Sequence, residues 1–335
     1  MSYDLLMSSS SSTESSPSQS KSRVDAEPVP LATVPAPLAT SPTRIWCTLV
    51  MIKESYACGA VTLAHAMKKL KTKYPMWCMV GPGISIECEQ WLAKWYDKIV
   101  KVPFIEHEVI DMKSKKQREI YGSWISKSFT KCHIFNPDTF PVEKLIFLDA
   151  DSLPVENIDD LFEIQAPALT YSSPWVAPYA AKKAIMSNNP YGEMKHGSIV
   201  APSKIRNGFS SILGIANMML ISPSVEQWNV FNKHLNSQPK YGYAGCISGF
   251  DEQIVSETLL SVGAPIRHIH QQYNWIVGKD KWLRKGQKPK LFQWYNEKPW
   301  TQKRGEWPDL IAWYAIWDEV VAADPTAAGF FPTTV

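Results

Sequence analysis

Lys144-Leu145-Ile146-Phe147-Leu148-Asp149-Ala150-Asp151-Ser152-Leu153-Pro154-Val155 is the stretch on which the fold turns. A short apolar run, Leu145 to Leu148, reads as a buried strand. It stops abruptly at Asp149-Ala150-Asp151. In open parallel sheets, ligands gather at the carboxyl ends of the strands. Two carboxylates one residue apart repel each other unless a cation lies between them. Hard divalent cations take oxygen ligands, and a diphosphate can complete their shell. Such an ion stabilises the charge that builds on a departing diphosphate. The other reading is a loop that caps the next helix, for which Asn157-Ile158-Asp159-Asp160-Leu161-Phe162 is a candidate.

Upstream of this stretch, strands and helices alternate. Arg44 to Met51 is an apolar, β-rich run. Val61, Leu63, Ala64, Met67 and Leu70 follow at helical spacing and predict a helix over Tyr56 to Leu70. A second strand, Met76 to Val80, ends in Gly81-Pro82-Gly83, and a helix from Ser85 to Trp95 opens on a serine cap. Lys98 to Val102 is a third strand, and Ser123 to Phe135 predicts a helix leading into the Lys144 strand. This order implies an α/β domain whose parallel sheet carries helices on both faces. Downstream, residues 172 to 214 are rich in Pro, Gly, Ser and Asn. A long irregular excursion of this kind is usually functional or disordered, and it is expected to shape an acceptor site. Asn217 to Ser222 then reads as a buried strand. Ser224 to Leu235, Asp251 to Val262 and Trp307 to Ala323 read as helices, the last with Pro308 at a tolerated early position.

Composition sets bounds. The chain has 335 residues, 45% of them hydrophobic and 20% charged, as in a soluble globular protein with a substantial core. A net charge of +3 gives no basic stripe for nucleic acid, and Lys113, Lys115, Lys116 and Arg118 read as a solvated loop. Many of the 14 tryptophans fall in the last third (Trp275, Trp282, Trp294, Trp300, Trp307, Trp313 and Trp317). They either fill the core or offer faces to sugar rings. The six cysteines form no C-x-x-C and read as buried thiols of a reducing compartment. No stretch reaches the ~18–20 apolar residues of a membrane span, and Met1 to Met7 has no basic start or apolar core. The expectation is a cytoplasmic protein without a transmembrane anchor. Residues 1–43 are Ser-rich, then Pro-rich, and are expected to be a disordered tail. The domain is expected over 44–325, with a second tail at 326–335.

Phe147-Leu148-Asp149-Ala150-Asp151-Ser152-Leu153 followed by Glu156-Asn157-Ile158-Asp159-Asp160-Leu161-Phe162-Glu163 resembles the signature of the glycogenin-like family 8 glycosyltransferases, which include glycogenin and galactinol synthase. The resemblance runs over roughly 44 to 320. It implies a single GT-A type, Rossmann-like α/β/α sandwich, with a nucleotide-sugar half (44–165) and an acceptor half (166–325). It implies a metal-dependent hexosyltransferase that moves sugar from a UDP-sugar to a hydroxyl acceptor (sugar, polyol or protein) with retention, using Mn2+ or Mg2+. A homodimer is left open.

Site residues follow position by position from the same resemblance. Asp149 and Asp151 would bind the metal. Thr48-Leu49 and Tyr56-Ala57-Cys58-Gly59-Ala60 resemble the opening strand and helix, which assigns Leu49 and Tyr56 to the uracil ring. Phe129-Thr130-Lys131-Cys132-His133-Ile134-Phe135 assigns Lys131 to the sugar and phosphate, with Lys127 as a rival. Phe250-Asp251-Glu252-Gln253 sets Asp251 and Glu252 beside the transferred sugar, and Tyr273-Asn274 resembles a further step of the site. Glu297-Lys298-Pro299-Trp300 assigns Lys298 to the leaving diphosphate, where a compact ammonium suits a phosphate gaining charge. The chain also departs from the family. A histidine several residues before Lys-Pro-Trp completes the family's metal shell, and here the run is Leu291-Phe292-Gln293-Trp294-Tyr295-Asn296. Gln293 is the replacement ligand, through its amide oxygen, with His268 and His270 as alternatives. The family's Asn-Ser-Gly step is also altered, so Asn217 takes the sugar-binding role by a shifted register. No tyrosine matches the one glycogenin glucosylates. A non-catalytic, nucleotide-sugar-binding or partner-binding relative is the rival reading. A dinucleotide oxidoreductase is disfavoured, because no G-x-G-x-x-G follows the first strand.

Overall fold

The computed structural model describes residues 42–112, 115–171, 194–206, 214–242, 250–277, 288–295, 297–305 and 307–332. The expected N-terminal tail, apart from its last two residues, and most of the 172–214 excursion lie outside these residues. Alternation along the strands builds the layers. In β4 (Lys144–Leu148), Leu145 and Phe147 enter one core while Ile146 and Leu148 enter the other. β2 (Met76–Val80) does the same, with Trp77 and Met79 opposite Met76, Cys78 and Val80. Period-two alternation with both faces apolar is what a strand covered on both sides requires.

β1 (Arg44–Val50), β2, β3 (Lys98–Lys101) and β4 pair in parallel. With β6 (Ala168–Tyr171), β7 (Gly214–Ile221) and β8 (Arg267–His268) they form a seven-stranded sheet ordered β3-β2-β1-β4-β7-β6-β8. One core is covered by α1 (Ser55–Lys69), α2 (Ile86–Ala93) and the C-terminal helix Pro308–Ala323. The other is covered by residues Ile125–Phe135 and the helices Val225–Leu235 and Phe250–Val262. The result is an α/β/α sandwich. The serine caps are present: Ser85 Oγ accepts from the Cys88 N–H and Ser224 Oγ from the Gln227 N–H.

The strands expected to be parallel, β1 to β4, are so; the whole sheet is mixed, because β7 runs antiparallel to both β4 and β6. Three expectations change. The expected Asn217–Ser222 strand begins at Gly214, which sets Asn217 inside it rather than at its start. The helix expected over Ser123–Phe135 forms as a 3-10 helix over Ile125–Phe135, whose first residue follows Trp124 without a side-chain cap. Its Thr130 hydroxyl accepts the Ile105 N–H, tying the segment to a neighbouring loop. The chain also stays packed past 325, where a tail was expected from 326: Pro325–Phe330 is a 3-10 turn, and Phe330 stacks on Trp91 at 4.4 Å.

Candidate active site

β4 delivers its aspartates to the rim of the sheet. The Asp149 N–H donates to the Asn217 carbonyl of β7 at 2.9 Å, and the Ser152 N–H to the Asp149 carbonyl at 3.1 Å, which folds Ala150 and Asp151 into a tight turn. The buried Thr48 hydroxyl of β1 donates to the Leu148 carbonyl at 2.7 Å. After the turn, β5 (Ser152–Pro154) joins a second sheet in which β10 (Leu291–Gln293) runs between it and β9 (Trp275–Ile276). The register sets Gln293 opposite Ser152, and so beside Asp151.

Each aspartate meets an ammonium. Lys131 Nζ lies 3.3 Å from Asp149 Oδ1 and 2.9 Å from Asp251 Oδ2, and it donates to the Ala216 carbonyl at 3.3 Å. Burial works against the charge on Lys131, but Asp149 and Asp251 outweigh it and raise the pKa. Lys298 Nζ lies 2.5 Å from Asp151 Oδ2 and donates to the carbonyls of Trp294 (2.8 Å) and Tyr295 (3.3 Å). Its pKa is also raised, burial opposing and Asp151 prevailing. Burial lifts Asp149 to about 6, with Lys131 pulling the other way. Glu252, next to Asp251 in the first turn of the helix Phe250–Val262, is pushed up to about 8 by burial and then by the Asp251 charge. It therefore keeps its proton at neutral pH.

Gln293 binds both sides of the turn. Its Nε2 donates to Asp151 Oδ1 at 2.7 Å, and its Oε1 accepts the Ser152 hydroxyl at 2.5 Å. An ionised carboxylate only accepts, so the amide nitrogen is the atom that faces it. Two carboxylates at a strand end suit a divalent cation once the lysines turn away. Gln293 does not suit it in this orientation, because it shows the cluster an N–H and not an oxygen. Among the described residues, no three His, Cys, Asp or Glu side chains form a group that could hold a metal ion.

The other predicted positions divide. Tyr56 lies near the cluster, its ring edge-on to Trp300 at 5.2 Å, and burial pushes its hydroxyl up to about 12. Leu49 sits near the end of β1, packed on the opposite core from Tyr56. Of the two rival lysines, Lys131 is at the carboxylates; Lys127 lies over the Phe104 ring at 4.9 Å. Asn217 reaches the rim, but its side-chain amide is paired with Asn274. His268 is fully buried on the sheet's end strand, with neither ring nitrogen hydrogen-bonded, and burial lowers its pKa to about 3. His270 lies just beyond it, its Nδ1 accepting the Gln272 N–H. Trp275, Trp294, Trp300, Trp313 and Trp317 are buried, so they fill the core; Trp307 is exposed, and Trp282 lies outside the described residues. The sequence reading passed over Ser152, whose hydroxyl carries no motif. It named Asn274 only as part of the Tyr273-Asn274 step and gave it no partner.

No family model matches the chain. It is 22% identical over 194 residues to uncharacterized protein R707 of Acanthamoeba polyphaga mimivirus, covering 57% of this chain and 59% of that protein. It is 28% identical over 120 residues to glycogenin-1 of Caenorhabditis elegans, covering 36% of this chain and 26% of that one. It thus spans less than two thirds of the length of either relative. Among solved structures, the galactosyltransferase LgtC in complex with donor and acceptor sugar analogs matches with a TM-score of 0.52 at 11% identity, over 82% of this chain and 95% of that one. The fold is of the GT-A type, and relatives named glycogenin match over about a third of the chain at modest identity. No helix among the described residues is long and apolar enough to cross a membrane.

Proposed function

We propose that this chain is a glycosyltransferase that takes a hexosyl unit from a UDP-sugar and transfers it, with retention, to a hydroxyl acceptor. The observation that carries the reading is the pair of partly buried lysine–aspartate contacts at one strand end, Lys131–Asp149 and Lys298–Asp151. An anionic diphosphate entering this rim competes with the aspartates for both ammonium groups. Lys298 exchanges Asp151 for the diphosphate and stays on it as charge builds in the leaving group. Lys131 pairs with Asp251 beside the sugar, and Glu252, whose carboxyl is pushed up by burial, lies next to it. Tyr56, with Trp300 beside its ring, receives the base; Leu49, near the end of β1, is the second residue assigned to it. A bound Mn2+ would be held by Asp149 and Asp151 and would supply charge neutralisation at the diphosphate.

The test is UDP release from a panel of UDP-sugars, with and without Mn2+, beside an Asp149→Ala/Asp151→Ala variant. Metal-stimulated turnover that disappears in the variant supports the reading and identifies the donor. UDP binding without turnover on any donor and acceptor favours the second reading, a non-catalytic relative, to which the glutamine at the histidine position points.

A further inference from the structure

Ser152, Gln293 and Asp151 form a closed set. The Ser152 hydroxyl donates to Gln293 Oε1, and Gln293 Nε2 donates to Asp151 Oδ1, while Asp151 Oδ2 takes the Lys298 ammonium. All three of Asp151, Ser152 and Gln293 are buried. Turning the Gln293 amide over would set Oε1 against the Asp151 carboxylate, acceptor against acceptor. The Ser152 hydroxyl tolerates either orientation, since it can donate or accept. The charge on Asp151 therefore fixes the amide, and it fixes it as a donor.

We infer that Gln293 is a positioning residue that closes Asp151 to a free divalent cation, so that the cation enters only together with a nucleoside diphosphate. This rests on the proposed nucleotide-sugar reading. For an ion to reach Asp151 in the free protein, it must break a buried ion pair with Lys298 and a buried hydrogen bond with Gln293, with nothing to receive the displaced ammonium. Removing one partner of a buried pair leaves an uncompensated charge. A diphosphate would supply the missing partner: its charge would draw Lys298 off Asp151 Oδ2 and leave the two aspartates open to a cation. Were a cation held at Asp151, Gln293 would have to present Oε1 in place of Nε2, which the Ser152 hydroxyl allows because it can donate or accept.

The experiment titrates Mn2+ alone into the whole chain, read by loss of the free-ion electron paramagnetic resonance signal, and repeats it with saturating UDP. UDP binding is measured separately by calorimetry. The wild type is expected to bind Mn2+ at least tenfold more weakly without UDP than with it. Gln293→His is expected to bind Mn2+ alone at least tenfold more tightly than wild type, and a further Asp151→Asn change to remove that gain. Gln293→Glu gives a second route to the same gain should the histidine variant fold poorly. Equal Mn2+ affinity with and without UDP overturns the inference, as does a Gln293→Ala variant that loses binding of the ion alone. Failure of UDP to bind under any condition counts against the proposed function, and the arm with Mn2+ alone still decides the role of Gln293.

Discussion

Asn217 and Asn274 exchange side-chain amides: Asn217 Nδ2 donates to Asn274 Oδ1 at 2.8 Å, and Asn274 Nδ2 returns the bond to Asn217 Oδ1 at 2.7 Å. Both side chains are buried. The Asn217 carbonyl also accepts the Asp149 N–H, so the pair ties residues 271–274 to the backbone that presents the aspartates. Removing either amide strands the other in a buried site, at about 1–3 kcal/mol. Asn217→Ala and Asn274→Ala should each lose about that much in urea unfolding. The double variant should lose less than the sum, with a coupling on the order of 1 kcal/mol. Additive losses would mean that the two amides do not depend on each other.

Lys131 is the only cation that meets both Asp149 and Asp251 among the described ion pairs. Lys131→Met leaves two partly buried carboxylates facing each other. Breaking a buried pair from one side costs about 3–5 kcal/mol, and the exposure of Asp149 puts the expected loss at the lower end. Adding Asp251→Asn should recover a good part of it. Lys127→Met, which loses only a contact over Phe104, should change stability by about 0.5–1 kcal/mol. Chemical denaturation of the three variants gives the ranking; equal losses for the two lysines would remove Lys131 from its bridging role.

The strands and the acidic turn were legible because they rest on local rules. Leu145 to Leu148 alternate between two apolar faces, and the serines at 85 and 224 cap as their positions suggest. The direction of β7 was not legible, since an apolar strand reads the same in either direction, and its antiparallel pairing to β4 is a matter of tertiary register. Gln293 shows the same limit. Its place near Asp151 followed from the motif order, but the use of its nitrogen depends on Ser152, which is 141 residues away in sequence and faces it across the β5–β10 register. Lys131 and Lys127 were left open for a comparable reason: only the turn of the 3-10 helix decides which one reaches the rim.

Glu252 gives the site a pH dependence. In the unfolded chain its carboxyl ionises near 4.5, whereas in the folded protein burial and the Asp251 charge hold the proton up to about 8. The folded state therefore binds the extra proton, and stability falls as pH rises through this window and levels off above it. Glu252→Gln has no charge to lose. The melting temperature of the variant should match that of wild type near pH 4.5 and exceed it by a growing margin up to about pH 8. A margin that is constant across that range would show that Glu252 is ionised in the folded protein at neutral pH.

Gly59 couples helix α1 to the Asp149–Asp151 turn by its lack of a side chain. A Cβ built there would sit 2.5 Å from the Ala150 carbonyl oxygen and overlap the Trp300 ring. Neither neighbour yields easily: Ala150 is backbone between the two aspartates, and Trp300 is boxed by Tyr56 at 5.2 Å and Trp313 at 6.0 Å. Alanine would favour the helix by about 1 kcal/mol, while overpacking costs about 1–3 kcal/mol. The second effect should win, because the overlap involves fixed atoms on two sides. Gly59→Ala is expected to lower the melting temperature and to weaken UDP binding, since relief of the contact with Ala150 must shift Asp149 or Asp151. Gly329→Ala, where a Cβ would meet nothing, is the control and should leave both unchanged. A Gly59→Ala protein with wild-type UDP affinity would show that α1 can back away without moving the turn, and that Tyr56 and the aspartates are not held as one unit.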